Sequence, residues 1–249
     1  LLQERRDNYI AAIAGDELSN FGLAFLDLSS GRFGVLEIDT KESLISELER
    51  ISPAELVVNE ENSLPGLTDD RRGLTRIPPW HYDLETCQRL LLEQFGTHDL
   101  AGFGCENLTQ AIRAAGALLH YVGETQRAAL PHIRSLRTEN RDDSVILDAA
   151  SRRNLELEYN LRGGTDNTLV SVLDTTSTAM GGRLLRRWVN RPLRDHNTLR
   201  LRFDAVNALL DPDLNESIQC HLRQVGDIER IITRIALRYA RPRDLAMLQ

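Results

Sequence analysis

Apolar residues recur at two different periods along this chain, and the change of period divides it. Asn8 to Ile13, Leu23 to Leu28 and Phe33 to Ile38 are short apolar runs, with Ser29-Ser30-Gly31 as a tight turn between the second and third. Runs of that length and bounding predict three antiparallel strands. Ser43 to Ile51 has the spacing of a short amphipathic helix, and Glu55 to Asn59, after Pro53, reads as an apolar strand. Leu84 to Phe95 and Leu108 to Val122 are two further helices; in the second, Leu108, Ile112, Ala115, Leu119 and Val122 form a stripe suited to lying on a sheet. The stretch from Asn62 to Trp80 holds three prolines and two glycines and predicts an irregular loop, apart from a short extended piece near Thr75 to Ile77.

From about Gly123 the pattern is almost wholly helical. Ser144 to Leu147 leads into a helix reaching Leu157, and Gly163-Gly164 marks a loop. Ser177 or Thr178 can cap the next helix, with Met180, Leu184, Leu185, Trp188 and Val189 as its buried face until Pro192 stops it. Leu199, Phe203, Val206 and Leu210 define the following helix. Val225 to Leu245 then reads as one long helix, because Ile218, Leu222, Val225, Ile228, Ile232, Ile235 and Tyr239 keep to steps of three and four. A lone helix cannot bury such a stripe, so it predicts a partner helix. The expected architecture is α/β plus all-α: a ribonuclease H-like mixed sheet with helices over residues 1–122, then a helical bundle over residues 123–249.

Charge sharpens the division. Residues 1–122 hold 20 acidic against 10 basic side chains, whereas residues 123–249 hold 17 against 20, within a total of −7. Affinity for a phosphate backbone comes from neutralising cations, so any DNA contact is expected in the second half. There, Arg183, Arg186, Arg187, Arg191 and Arg194 surround an apolar stripe. A phosphate-binding face is conceivable, but a solvated or ion-paired helix face is the better expectation.

At 249 residues and 28.1 kDa the chain can bury roughly 70% of its unfolded surface, enough for one large or two small domains. No apolar run approaches the ~18 residues of a membrane span, and LLQERRDNY lacks the features of a secretory signal, which together predict a cytoplasmic protein without a membrane role. The first residues read as the middle of a helix and Gln249 ends the last one without a cap, as expected of a piece of a longer chain. Cys87, Cys105 and Cys220 have no zinc or disulfide spacing, and the six histidines pair with no ligand at metal spacing. No metal site is expected.

Ribonuclease H-type nucleases gather carboxylates around two magnesium ions. Asp27, Glu37, Glu60 and Glu61 are the candidates here, yet the strand Tyr9 to Ile13 carries no acid, and Asp27 beside Ser29-Ser30-Gly31 reads more simply as a turn residue. There is no Gly-Lys-Ser/Thr phosphate loop around the single lysine, Lys41, no G-x-S-x-G elbow and no H-E-x-x-H helix. No catalytic residue is assigned.

Two segments, LDTTSTAMGGRLLRRWVNRPLRD from Leu173 and VGDIERIITRIALRYARPRDL from Val225, resemble the core domain of the MutS family of DNA mismatch-repair proteins, and the strand and helix order of the first half resembles that family's connector domain. None of the six phenylalanines begins the Phe-x-Glu signature by which the family reads mismatches. The resemblance therefore implies a noncatalytic connector and lever segment, without the mismatch-reading, clamp and ATPase domains. It implies ATP and magnesium for the parent's ATPase domain and no cofactor for these residues. It further implies a parent homodimer that binds mismatched DNA and recruits MutL through the connector, with weak or no DNA binding by this segment. On the helix Leu84 to Phe95, Leu84, Cys87, Leu91 and Phe95 face inward, which leaves Gln88, Arg89 and Glu93 as the candidate partner surface. The alternatives are a ribonuclease H-like nuclease with a helical accessory domain, separated by the missing acid on the first strand, and a MutS paralogue outside mismatch repair.

Overall fold

The computed structural model describes residues 3–15, 19–62, 64, 66, 67, 71–126 and 129–248. They form two compact units, Asn8–Asn140 and Leu1–Asp7 with Arg141–Gln249. The division falls at Asn140, not at the 122/123 boundary read from the sequence. The reason is local: a helix over Thr109–Gln126 runs across that boundary, and cutting there would sever a continuous hydrogen-bonded segment.

In the unit Asn8–Asn140, β1 (Tyr9–Gly15), β2 (Phe21–Asp27) and β3 (Arg32–Ile38) pair antiparallel in the register Tyr9 to Asp27 and Phe21 to Ile38. α1 (Lys41–Ile51) carries the chain across to β4 (Glu55–Asn59), which pairs parallel with β1, and β5 (Leu74–Ile77) pairs parallel with β4. A two-residue strand that the sequence does not announce, β6 (Arg137–Thr138), pairs parallel with β3, giving the order β5-β4-β1-β2-β3-β6. Every residue of β2 is buried, because the sheet is covered on both faces.

One face packs Ala11, Ile13, Leu23, Leu36 and Leu56 against Leu44 and Leu48 of α1. The other packs Ala12, Leu26, Val35 and Val57 beneath α2 (Leu84–Phe95) and α3 (Thr109–Gln126). At about 25 cal/mol per Å² of apolar surface removed from water, these two layers supply the main driving force for this unit. Close approach sets where α3 sits: a Cβ on Gly22 would lie 1.9 Å from the Gln110 carbonyl oxygen.

The helical unit departs further from its pattern. Residues 3–7 are turn, bend and irregular chain rather than helix, and Gln249 lies outside the described residues. Helices α4 (Ala149–Asn154) and α5 (Leu169–Leu173) are short, followed by α6 (Ala179–Asn190), α7 (His196–Ala208) and α8 (Pro212–Leu222). The expected continuous helix from Val225 to Leu245 is interrupted. α9 occupies Ile228–Ala236 and α10 Pro242–Ala246. Asp227 accepts a hydrogen bond from the Arg230 N–H, which makes it an N-cap, and Arg238 at φ 61 turns the chain out of α9 before Pro242 starts α10. A carboxylate that caps the next helix competes with continuation of the previous one, and the apolar period runs straight over the break without recording it.

Burial of the helical unit is inverted relative to expectation. The stripe Ile218, Leu222, Val225, Ile228, Ile232, Ile235 and Tyr239 is 36–58% exposed, and Leu184 and Trp188 of α6 are exposed as well. The side of α6 turned inward is instead Gly182 and Arg183, and that of α9 is Arg230, Ile231 and Thr233. Polar and ionic groups hold the inside of these helices.

Candidate functional site

On α2 the Asp83 carboxylate accepts from the Thr86 N–H at 2.9 Å and starts the helix, while Gly96, at φ 63, ends it. That hydrogen bond, and more weakly the charges of Arg113 and Arg89, hold the Asp83 carboxyl below the usual range. Cys87 and Leu91 are fully buried, and Leu84 and Phe95 pack at the margin of the same cluster. Cys87 meets α3 at Gly116, where a Cβ would stand 2.3 Å from its own Cβ. Burial pushes the Cys87 thiol up to about 12, which suits a packing group and not a nucleophile. Gln94, which the sequence reading passed over, donates to the carbonyls of Leu130 and Ile133, both at 2.9 Å, and fastens the helix to the chain beyond α3. Gln88, Arg89 and Glu93 are all exposed on the opposite side. The helix is rigidly seated, and its outward polar side chains are available.

The four carboxylates considered for metal chemistry are placed apart. Asp27 accepts from the Ser29 N–H at 2.8 Å, the Ser29 hydroxyl at 2.7 Å and the Ser30 hydroxyl at 3.0 Å, so it is the buried anchor of the β2–β3 turn. Glu37 accepts from the Gln110 N–H at 2.7 Å at the start of α3. Asp27 pairs in register with Arg32, and Glu37 with Gly22, so the two lie at opposite ends of one hairpin, about 16 Å apart at ~3.3 Å per residue. Two hard cations cannot share ligands over that span. Glu60 and Glu61 are exposed beyond the end of β4, and no group of three potential ligands assembles among the described residues.

The arginines of α6 form the second assembly. Arg183, 0% exposed, donates to both oxygens of Asp227 at 2.7 and 2.8 Å, to Glu229 at 2.6 Å and to the Glu4 carbonyl at 2.7 Å. Arg186 pairs with Asp174 at 2.7 Å, and Asp174 also receives Arg5 at 2.7 Å. Arg187 pairs with Asp7 at 2.9 Å, and Arg230 donates to the carbonyls of Gln3 and Arg6 at 3.0 and 2.9 Å. Arg191 stands 3.9 Å from Asp143, and Arg194 bonds Asp142 and Asp143 through their carbonyls.

Burial alone would push the Arg183 guanidinium down, but the hydrogen bonds and charges of Asp227 and Glu229 outweigh it and leave it above its ordinary value. Burial likewise opposes the ionised forms of Asp227 and Asp174; Arg183 holds Asp227 below the usual range, and the Thr176 hydroxyl, then Arg186 and Arg5, do the same for Asp174. The α6 arginines are therefore spent on internal pairing, in line with the ion-paired expectation. The network ties residues 3–7 to Asp174, α6 and α9, contacts separated by 169 residues or more that no local pattern announces; the only sequence hint is three arginines at 183, 186 and 187 on one helical face.

The architecture is that of a two-part segment: an α/β unit of ribonuclease H-like strand order followed by an arginine-laced helical unit. Residues 8–134 match the family model of MutS domain II and residues 150–249 that of MutS domain III. The chain belongs to the MutS family, carrying its connector and core domains, and is thus part of a MutS-type mismatch-repair protein. MutS domain II is ribonuclease H-like, and both matched domains are noncatalytic segments. Among the described residues no helix is long and apolar enough to cross a membrane.

Proposed function

We propose that this chain transmits conformational change within a mismatch-repair protein, its connector presenting the surface that MutL binds and its core helices relaying the state of an ATPase domain. The observation that carries the reading is the succession of MutS domain II and MutS domain III along one chain. In the parent, a cytoplasmic homodimer, ATP and magnesium bind the ATPase domain and mismatched DNA is read by another domain. These residues hold no cofactor and bind DNA weakly or not at all, since the α6 arginines nearest an apolar face already have carboxylate partners.

A helix resists compression through its internal hydrogen bonds, and a two-state interface at its end converts displacement into a switch. Seating by Gln94, Cys87 and Gly116 supports α2 as the rigid part of the MutL surface, with Gln88, Arg89 and Glu93 as contacts. Reversing Arg89 and Glu93 in the intact parent is expected to weaken MutL capture in a pull-down while leaving mismatch binding in place. Undiminished capture would remove these residues from the interface.

A further inference from the structure

β5 is an end strand of the sheet, hydrogen-bonded among the described residues only to β4. The Gly73 and Ile77 carbonyls accept from the Leu56 and Glu60 N–H groups at 2.7 and 2.9 Å, so odd-numbered residues point their backbone groups toward β4. Leu74 and Arg76 therefore turn their N–H and C=O groups to the open edge, where no described residue pairs with them. The opposite edge is the two-residue β6, too short to template a strand.

The two sides of the open edge differ in chemistry. Toward α3, the Thr75 hydroxyl donates to Glu55 at 2.6 Å, and Tyr121 of α3 bonds the same carboxylate. Just past the strand, Pro78-Pro79 delivers Trp80, whose indole is 65% exposed and lies 5.7 Å from the His81 ring; His81 in turn stacks on His120 of α3 at 4.2 Å. An exposed tryptophan on a supported aromatic shelf is the side chain that most often anchors a partner. On the other side Arg76 projects into solvent, with exposed Arg72 shortly before it. These cations stand out in a unit that holds 20 acidic against 11 basic side chains.

We propose that the β5 edge is a docking site for an extended acidic peptide strand, which pairs with the Leu74 and Arg76 backbone, places acids beside Arg76 and sets its alternate apolar side chains against the Trp80 shelf. Strand addition gives affinity through the backbone and specificity through alternate side chains. This surface is separate from the α2 residues assigned to MutL.

The test uses the 249-residue chain and a fluorescein-labelled peptide alternating glutamate and valine, followed by anisotropy. Comparison peptides replace glutamate with lysine, or carry N-methyl groups on every second backbone nitrogen in one register or the other. The glutamate peptide is expected to bind saturably, one N-methyl register to weaken it roughly tenfold or more, and the other register to be tolerated. Arg76→Glu and Trp80→Ala, both at exposed positions and checked by thermal melting, are expected to weaken it to a similar degree. Absence of saturable binding, equal tolerance of both N-methyl registers, or equal binding of the lysine peptide would overturn the proposal. So would sedimentation showing the chain paired with itself at this edge and not displaced by the peptide.

Discussion

Arg183, fully buried, bonds two carboxylates and a backbone carbonyl, and its substitution separates burial from pairing. A guanidinium removed from water is stable only while Asp227 and Glu229 neutralise it, and those carboxylates depend on it equally. Arg183→Met is expected to cost about 3–5 kcal/mol in urea unfolding of the helical unit, because partly buried Asp227 loses its bidentate partner and keeps as its charged neighbour Arg230, 3.7 Å away. Arg183→Lys should recover little, since one ammonium cannot reproduce the fork that bonds two carboxylates and the Glu4 carbonyl together. A loss below about 1 kcal/mol for Arg183→Met would place the network's energy elsewhere. The thiols offer a second check at this scale. Cys220 is exposed, whereas Cys87 and Cys105 are buried with their pKa values raised by burial. Native protein at neutral pH is expected to release one equivalent rapidly to a disulfide reagent and the other two only on unfolding.

At the scale of elements, α2 depends on α3 through a contact with no slack. Gly116→Ala would place a methyl group 2.3–2.6 Å from Cys87 atoms, including its Cα, so one helix must move. Overpacking of this kind costs typically 1–3 kcal/mol, and denaturant unfolding of the α/β unit is expected to register it. If α2 is the MutL surface, the same variant should also weaken MutL capture although Gly116 itself is not part of that surface.

The elements differ in how openly the sequence declared them. Strands β1 to β4 and helices α1 to α3 were legible because each alternation or stripe coincides with a face that the sheet buries. The split of Val225 to Leu245 was written in Gly226-Asp227 and Pro242 but overruled by a period that continued across them. The exposed trio on α2 followed from helical spacing alone. Arg183 did not, because its partners are Glu4, Asp227 and Glu229, and pairing over such separations leaves no periodic trace.

The two units are stabilised by different physics, and acid should therefore take them apart in a fixed order. The α/β unit rests mainly on two apolar layers whose burial does not titrate, with the exposed Asp83 cap of α2 as a lowered carboxyl at its surface. In the helical unit, Asp227 sits below its ordinary value through Arg183, Asp174 through the Thr176 hydroxyl and then Arg186, and Asp244 through Arg234 and the Arg241 N–H. A carboxyl whose folded pKa is depressed stabilises fully above its unfolded value, near 3.9, and loses that contribution as pH falls through the folded value. Glu158 works the other way: burial raises its pKa, so it releases strain on protonation and offsets part of the loss. Asp148 and Asp195 are lowered as well, by hydrogen bonds from Ser151 and Thr198, so five depressed groups against one raised group leave a net acid lability. Hydrogen exchange read by mass spectrometry from pH 6 downward is thus expected to open α6 and α9 before β1 and β2, with amide rates corrected for their intrinsic pH dependence. Arg183→Met should shift the opening of α6 and α9 to higher pH and leave the strands where they were. If β1 and β2 exchanged first, or all four elements opened together, the ion-paired interior would not be what sets the acid limit of the helical unit.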